Sequence, residues 1–142
     1  MIQQVIHTVN PLHKELGRKT LEEFGSNALL DSACGEGHNL PLFYSEEKSC
    51  ETESCNADML ILKDGKVKVV FEITETNVRP TQICGKMLTS ALSKYYIYRD
   101  KKYLLASSTM FIQVIFASKL KNKSGRIPNL AILKKQYRKA CD

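Results

Sequence analysis

The 142-residue sequence predicts an α/β fold: one domain, residues 1–142, with a mixed sheet flanked by helices. Three observations carry this. Apolar residues recur at helical spacing near the start, two apolar runs meet across Asp64-Gly65, and MFIQVIFA at 110–117 has the length and composition of a buried strand.

In order, Leu12, Leu16, Leu21 and Phe24 define a first helix that Pro11 can open and Gly25 can end. Residues 31–56 are dense in Gly, Ser, Glu and Cys, and only LPLFY at 40–44 reads as a strand there. The hairpin NADMLILKDGKVKVVFEIT follows, from Asn56 to Thr74, with Asp-Gly at its turn. Arg79-Pro80 then opens a helix whose apolar stripe is Ile83, Met87, Leu88, Ala91, Leu92 and Tyr95, opposite a polar stripe of Gln82, Lys86, Thr89 and Ser93. The cluster Tyr95-Tyr96-x-Tyr98 is assigned to helix packing, and Cys84 to the apolar side of this helix. KYLLA adds a short edge piece before the strand at 110–117, and Pro128 to Ala140 forms an extra C-terminal helix. The resulting order is α-β-β-β-α-β plus that helix.

Composition narrows the function classes. At 43% hydrophobic and 25% charged the chain has the balance of a globular domain with one core. No apolar run approaches the roughly 18–20 residues of a membrane span, and the start lacks the basic-then-apolar order of a signal peptide, so the expected address is cytoplasmic. The formal charge of +6 hides an asymmetry: residues 1–57 sum to −5 and residues 58–142 to +11. A basic second half suits a polyanion, and eight basic residues between Lys119 and Lys139 favour backbone contact over base stacking. The seven glycines are dispersed, with no phosphate-cradling loop, so no small-molecule organic cofactor is expected.

Asp58 opens the first hairpin strand and Glu72-Ile73-Thr74-Glu75 ends the second. Two carboxylates converging at one end of a hairpin are a seat for Mg²⁺, and Glu72 and Thr74, two apart on a strand, share a face. Register decides the rest. A two-residue turn pairs Lys63 with Lys66 and Asp58 with Phe71, which separates Asp58 from Glu72. A three-residue loop with a bulge pairs Leu62 with Lys66 and Asp58 with Val70, which unites Asp58, Glu72 and Thr74. A bulge, or a bend at Asp58, is therefore expected.

An Asp at a strand start, a turn, and Glu-x-(acceptor or Lys) on the return strand resemble the PD-(D/E)XK nuclease superfamily. Its restriction-endonuclease-like core runs helix, three strands, helix, strand. The resemblance implies that Asp58 and Glu72 bind Mg²⁺ or Mn²⁺ and that Thr74 stands where the motif lysine belongs. A hydroxyl orients water but supplies no positive charge; Lys86 on the following helix is the replacement, with Gln82 holding the phosphate or the lysine. The resemblance also brings in a first-helix glutamate, Glu15, Glu22 or Glu23, with Glu22 preferred for a likeness to small Holliday-junction resolvases. It implies a DNA substrate and a homodimer in which each subunit reaches one strand. The competing reading is an inactive nuclease-fold module that binds nucleic acid or a protein.

The five cysteines are an odd number in a chain without a secretion signal, which argues against a disulfide framework. Cys34, His38, Cys50 and Cys55 could instead form a structural Zn²⁺ site stapling the irregular segment. His7 and His13 have no partner that marks them as catalytic bases, and Cys141 is read as inert.

Overall fold

A computed structural model describes residues 11–35, 37–76 and 78–116. The helix expected from Pro128 to Ala140 and the basic cluster from Lys119 to Lys139, like His7 and Cys141, lie outside the described residues.

The first helix, α1, is Pro11–Phe24. Leu12 and Leu16 pack inward, but Leu21 and Phe24 are 38% and 44% exposed, so the apolar stripe is buried only over its first half. Gly17 marks where α1 meets the chain around Cys34: a Cβ there would stand 2.3 Å from the Cys34 carbonyl oxygen. Gly25, at φ +55, then ends the helix in a conformation that L side chains adopt reluctantly.

Among the described residues seven strands follow: β1 Ala28–Leu30, β2 Leu40–Phe43, β3 Glu53–Ala57, β4 Met59–Lys63, β5 Lys66–Thr74, β6 Tyr95–Tyr98 and β7 Lys101–Ile115, with α2, Pro80–Leu92, between β5 and β6. They make one mixed sheet in the order β1-β4-β5-β7-β6-β2-β3, in which only β5 and β7 run parallel. The domain is α/β, as expected, but five strands precede α2 where three were expected. β1 and β3 escaped notice because their side chains, ALL and ESCNA, are too short or too polar to alternate clearly.

Two assignments are corrected. Tyr95, Tyr96 and Tyr98 belong to a strand: α2 ends at Leu92, Ser93 is already extended, and aromatic residues suit the pleat of β6. Tyr96 stacks on Tyr98 and Tyr103 at centroid distances of 6.5 and 5.7 Å. KYLLA and the run from 110 are parts of one strand, β7, interrupted between Leu105 and Met110, where its register against β5 shifts. Cys84 also departs from expectation, since it is exposed on α2.

The sheet is curled. β3 and β4 occupy the seventh and second places in the strand order, yet Asp58 alone connects them. The β3 edge must therefore swing back beside β4, and one buried cluster accordingly joins Leu40, Leu42 and Ala57 to Leu60, Val67, Val70 and Tyr96. Burying each large apolar side chain contributes about 2 kcal/mol. The alternate residues of β4 and β5 point the other way: Met59 and Ile73 pack with Leu30 and Cys34 beneath Leu12 and Leu16 of α1. Asp58 is thus the corner at which the chain crosses from the β3 edge of the sheet to β4, the second strand from the other edge.

Candidate active site

The register of the β4–β5 hairpin places the two carboxylates. Its turn is the two-residue form: Lys63 pairs with Lys66, and Asp64 and Gly65 have φ of 53 and 68, the left-handed pair that such turns require. The three-residue loop is thereby corrected. A bulge is nevertheless present, lower in the ladder, where Leu62 pairs with Val67 but Ile61 pairs with Val69. Lys68 is the extra residue, and it shifts every later pair by one. Met59 faces Phe71, so the next position sets Asp58 opposite Glu72, on the face shared by Val70 and Thr74.

Backbone bonds lock Asp58 in place. Its N–H donates to the Phe71 carbonyl at 3.1 Å, and its own carbonyl accepts from the Asp31 N–H at 2.9 Å. Its Oδ2 accepts from the Ile73 N–H at 2.5 Å, standing in for a strand carbonyl. The side chain thus closes the ladder where β4 begins. Burial raises the Asp58 pKa, partly offset by the Ile73 N–H and by Lys86 and His13.

Glu72 is only 4% exposed. Ser90 of α2 donates its hydroxyl to Oε1 at 3.1 Å, and Lys86 Nζ lies 3.5 Å from Oε2. Burial first, and then the neighbouring Asp58 charge, push the Glu72 carboxyl up to about 7, against the pull of Lys86 and Ser90. A single lysine, itself one-third exposed, does not balance the two carboxylates.

Thr74 continues the same face and is buried, and its Oγ1 has no hydrogen-bond partner among the described residues. A buried hydroxyl without a partner costs about 1–3 kcal/mol, so its lack of a partner points to something it would bond. Gln113 lies beside Glu72 across the parallel β5–β7 pair, and its Nε2 donates to the Ile83 carbonyl at 3.4 Å.

His13 is corrected most sharply. It has partners on both sides: Nδ1 lies 2.7 Å from Glu75 Oε2, and Nε2 lies 3.8 Å from Asp58 Oδ1. Glu75 also accepts from the Leu12 N–H at 2.8 Å and the His13 N–H at 3.4 Å, so a residue just past β5 caps the first turn of α1. Burial raises the Glu75 pKa, but these bonds outweigh it and the net shift is downward. The Glu75–His13 pairing joins residues 62 apart, beyond the reach of local spacing. Ser90 and Gln113 were equally hidden, since each looks like an ordinary polar residue of its element.

The remaining expected residues lie elsewhere. Glu22 is on the exposed side of α1, tied to Arg18, which also binds Glu15 at 2.8 Å; Glu23 is exposed as well. Gln82 is exposed on the first turn of α2, and its side chain makes no hydrogen bond among the described residues.

The four residues of the expected Zn²⁺ site are dispersed. Cys34 is buried under α1, where burial first and Asp31 second raise its thiol pKa. Cys55 packs against the opposite core and meets Ser90 Oγ at 3.7 Å, Cys50 is exposed, and the His38 ring lies 4.8 Å from that of Tyr98. The two cores lie on opposite faces of β4 and β5, which separates Cys34 from Cys55. Among the described residues no group of three or more His, Cys, Asp and Glu side chains is arranged to hold a metal ion. The fit of Asp58 and Glu72 to Mg²⁺ rests instead on two carboxylates, the usual protein share for an ion that keeps several waters, beside the partnerless Thr74 hydroxyl.

Among the described residues no helix is long and apolar enough to cross a membrane. Comparison of this chain with protein families, with curated proteins and with solved structures finds no match.

Proposed function

We propose that the protein is a metal-dependent nuclease that hydrolyses DNA phosphodiester bonds at the Asp58–Glu72 pair. The observation that carries this reading is the Lys68 bulge, which sets the half-buried Asp58, the buried Glu72 and Thr74 on one face, with Lys86 3.5 Å from Glu72.

Asp58 and Glu72 would hold Mg²⁺ or Mn²⁺. Such an ion, when bound, lowers the pKa of its water and offsets charge on the reacting phosphate. The chain itself supplies the rest. Thr74 offers a hydroxyl to orient the attacking water, and Lys86, released from Glu72 when the carboxylate takes another partner, can swing toward the phosphate. Ser90 fixes the free rotation of Glu72 and the Ile73 N–H fixes that of Asp58, so both acids are held without reorganisation. The PD-(D/E)XK resemblance is consistent with the parallel β5–α2–β7 connection and with helices α1 and α2 on opposite faces of β5.

A second reading, a nuclease-like domain that binds without cutting, is favoured by one observation: no lysine projects from β5 beside the carboxylates, and Thr74 stands there. Plasmid nicking with Mg²⁺ or Mn²⁺ separates the two. Metal-dependent nicking lost in Asp58→Ala and Glu72→Ala is expected; DNA binding with no nicking in either metal leaves the binding module.

A further inference from the structure

The opposite end of β5 carries charge of the other sign. Lys63 and Lys66 face each other directly across the two-residue turn. Lys66 pairs in turn with Leu104 of β7, and Lys102, two residues before Leu104, projects to the same face. Lys66 and Lys102 are diagonal neighbours, roughly 8 Å apart. Arg99 and Lys101 flank the β6–β7 turn at this same end of the sheet, and all five basic residues are exposed.

Like charges directly opposite on a sheet are destabilising, and Asp64 and Asp100, in the two turns, leave five basic against two acidic side chains at this end. Among the described residues the ion pairs involve His13, Arg18, Lys19 and Lys86, and none involves these five. We infer that the paired β4–β5 and β6–β7 turns form a docking surface for the phosphodiester backbone of a nucleic acid.

Chemistry favours backbone over base. Lysine ammonium groups are mobile point charges that suit phosphates without demanding one geometry. On the same face the aromatic ring is Tyr95, the register partner of Leu104, and its hydroxyl is already engaged, donating to Glu46 at 3.1 Å. Leu104, 43% exposed, offers an apolar floor between the lysines for a sugar edge. The surface therefore binds without sequence preference, and it stands about 20 Å from Glu72 by the rise of six strand residues. The choice of nucleic acid rests on the reading of the carboxylate site, but the binding itself needs no metal.

The test is fluorescence anisotropy with a labelled duplex of about 20 base pairs in EDTA, across a salt series, for the wild type and for the triple variant Lys63→Gln, Lys66→Gln, Lys102→Gln. The expected result is a tenfold or greater loss of affinity and a log–log salt slope shallower by about 2.7, at roughly 0.9 per phosphate contact. Thermal melting reports folding of the variant, which should melt no lower than the wild type because repulsion has been removed. Binding is read in EDTA, so failure of the nuclease reading, seen as no cleavage in any metal, leaves this result standing. An unchanged affinity and slope in a folded variant would overturn the inference. So would a wild type that binds vesicles of anionic phospholipid but not the duplex.

Discussion

The two ends of β5 make opposite use of charge. At Glu72 the chain sets a buried and a half-buried carboxylate beside one partly exposed lysine; at Lys66 it exposes lysines that form no ion pair among the described residues. Burial decides the size of the consequence. In a water-poor site a charge interacts strongly and shifts its own pKa, whereas a solvated charge is screened within about 10 Å at ordinary salt. Perturbing the carboxylate end should therefore produce large, specific effects, and perturbing the lysine end small, salt-dependent ones.

The largest effect is expected from the carboxylates themselves. Asp58→Ala and Glu72→Ala should each reduce the rate of metal-dependent nicking about 10³-fold or more, equivalent to roughly 4 kcal/mol at 1.36 kcal/mol per decade. Lys86→Ala should cost less, about 10²-fold, since its side chain is one-third exposed and solvent shares its role. Single-turnover plasmid assays rank the three. If Lys86→Ala cuts as fast as the wild type, the positive charge comes from elsewhere.

Next comes the pH dependence of stability without metal. Glu72 holds its proton more tightly folded than unfolded, with its pKa raised from 4.5 to about 7. The folded state therefore binds more protons across that window. Its extra stability is complete below 4.5 and is lost as pH rises through about 7, an effect on the order of 3 kcal/mol. Asp58 is shifted upward as well, so it acts in the same sense. Urea titrations at pH 5 and pH 8 in EDTA should show the lower midpoint at pH 8, with the difference much reduced in Glu72→Gln. Saturating Mg²⁺ at pH 8 should restore about 2–3 kcal/mol, because the ion binds only the ionised pair.

Between the extremes stands the Glu75–His13 contact, polar and buried but locally satisfied. Glu75→Gln keeps the shape yet loses the anion that accepts from the Leu12 N–H, the His13 N–H and the His13 ring. A loss of about 2 kcal/mol is expected, with faster amide exchange in the first turn of α1. If that turn stays protected, Glu75 does not anchor it.

What could be read from the chain follows the same division between local and distant causes. The hairpin, the extent of both helices and the strand from 110 announce themselves through periodicity and turn chemistry that act within a few residues, although that strand is only half-buried and Leu88, Ala91 and Leu92 of the α2 stripe are exposed. The need for a bulge also followed from parity alone: Asp58 and Glu72 could share a face only if one strand carried an extra residue. Its place at Lys68 was not legible, since Val67-Lys68-Val69 alternates as well with the extra residue as without it. The curl of the sheet was hidden for another reason. It arises because Asp58 spans from the last strand of the order to the second, and no spacing of residues records which edges meet. The two faces of the sheet dispersed Cys34 and Cys55 between two cores, and packing of α1 on one of them brought His13 to Glu75 and Asp58 from a position that showed no relation in sequence.

The smallest effect is the most direct test of the lysine end. Replacing Lys63 by Gln removes one side of a cross-strand repulsion without touching the turn, so the protein should gain about 0.2–1 kcal/mol at low salt. Screening predicts that the gain fades as salt rises, because both ammonium groups are solvated. Urea midpoints in dilute buffer and in molar salt measure the difference. A gain that persists undiminished at high salt would have another origin, such as β propensity, and the contrast between a screened end and a buried end of β5 would then rest on the carboxylates alone.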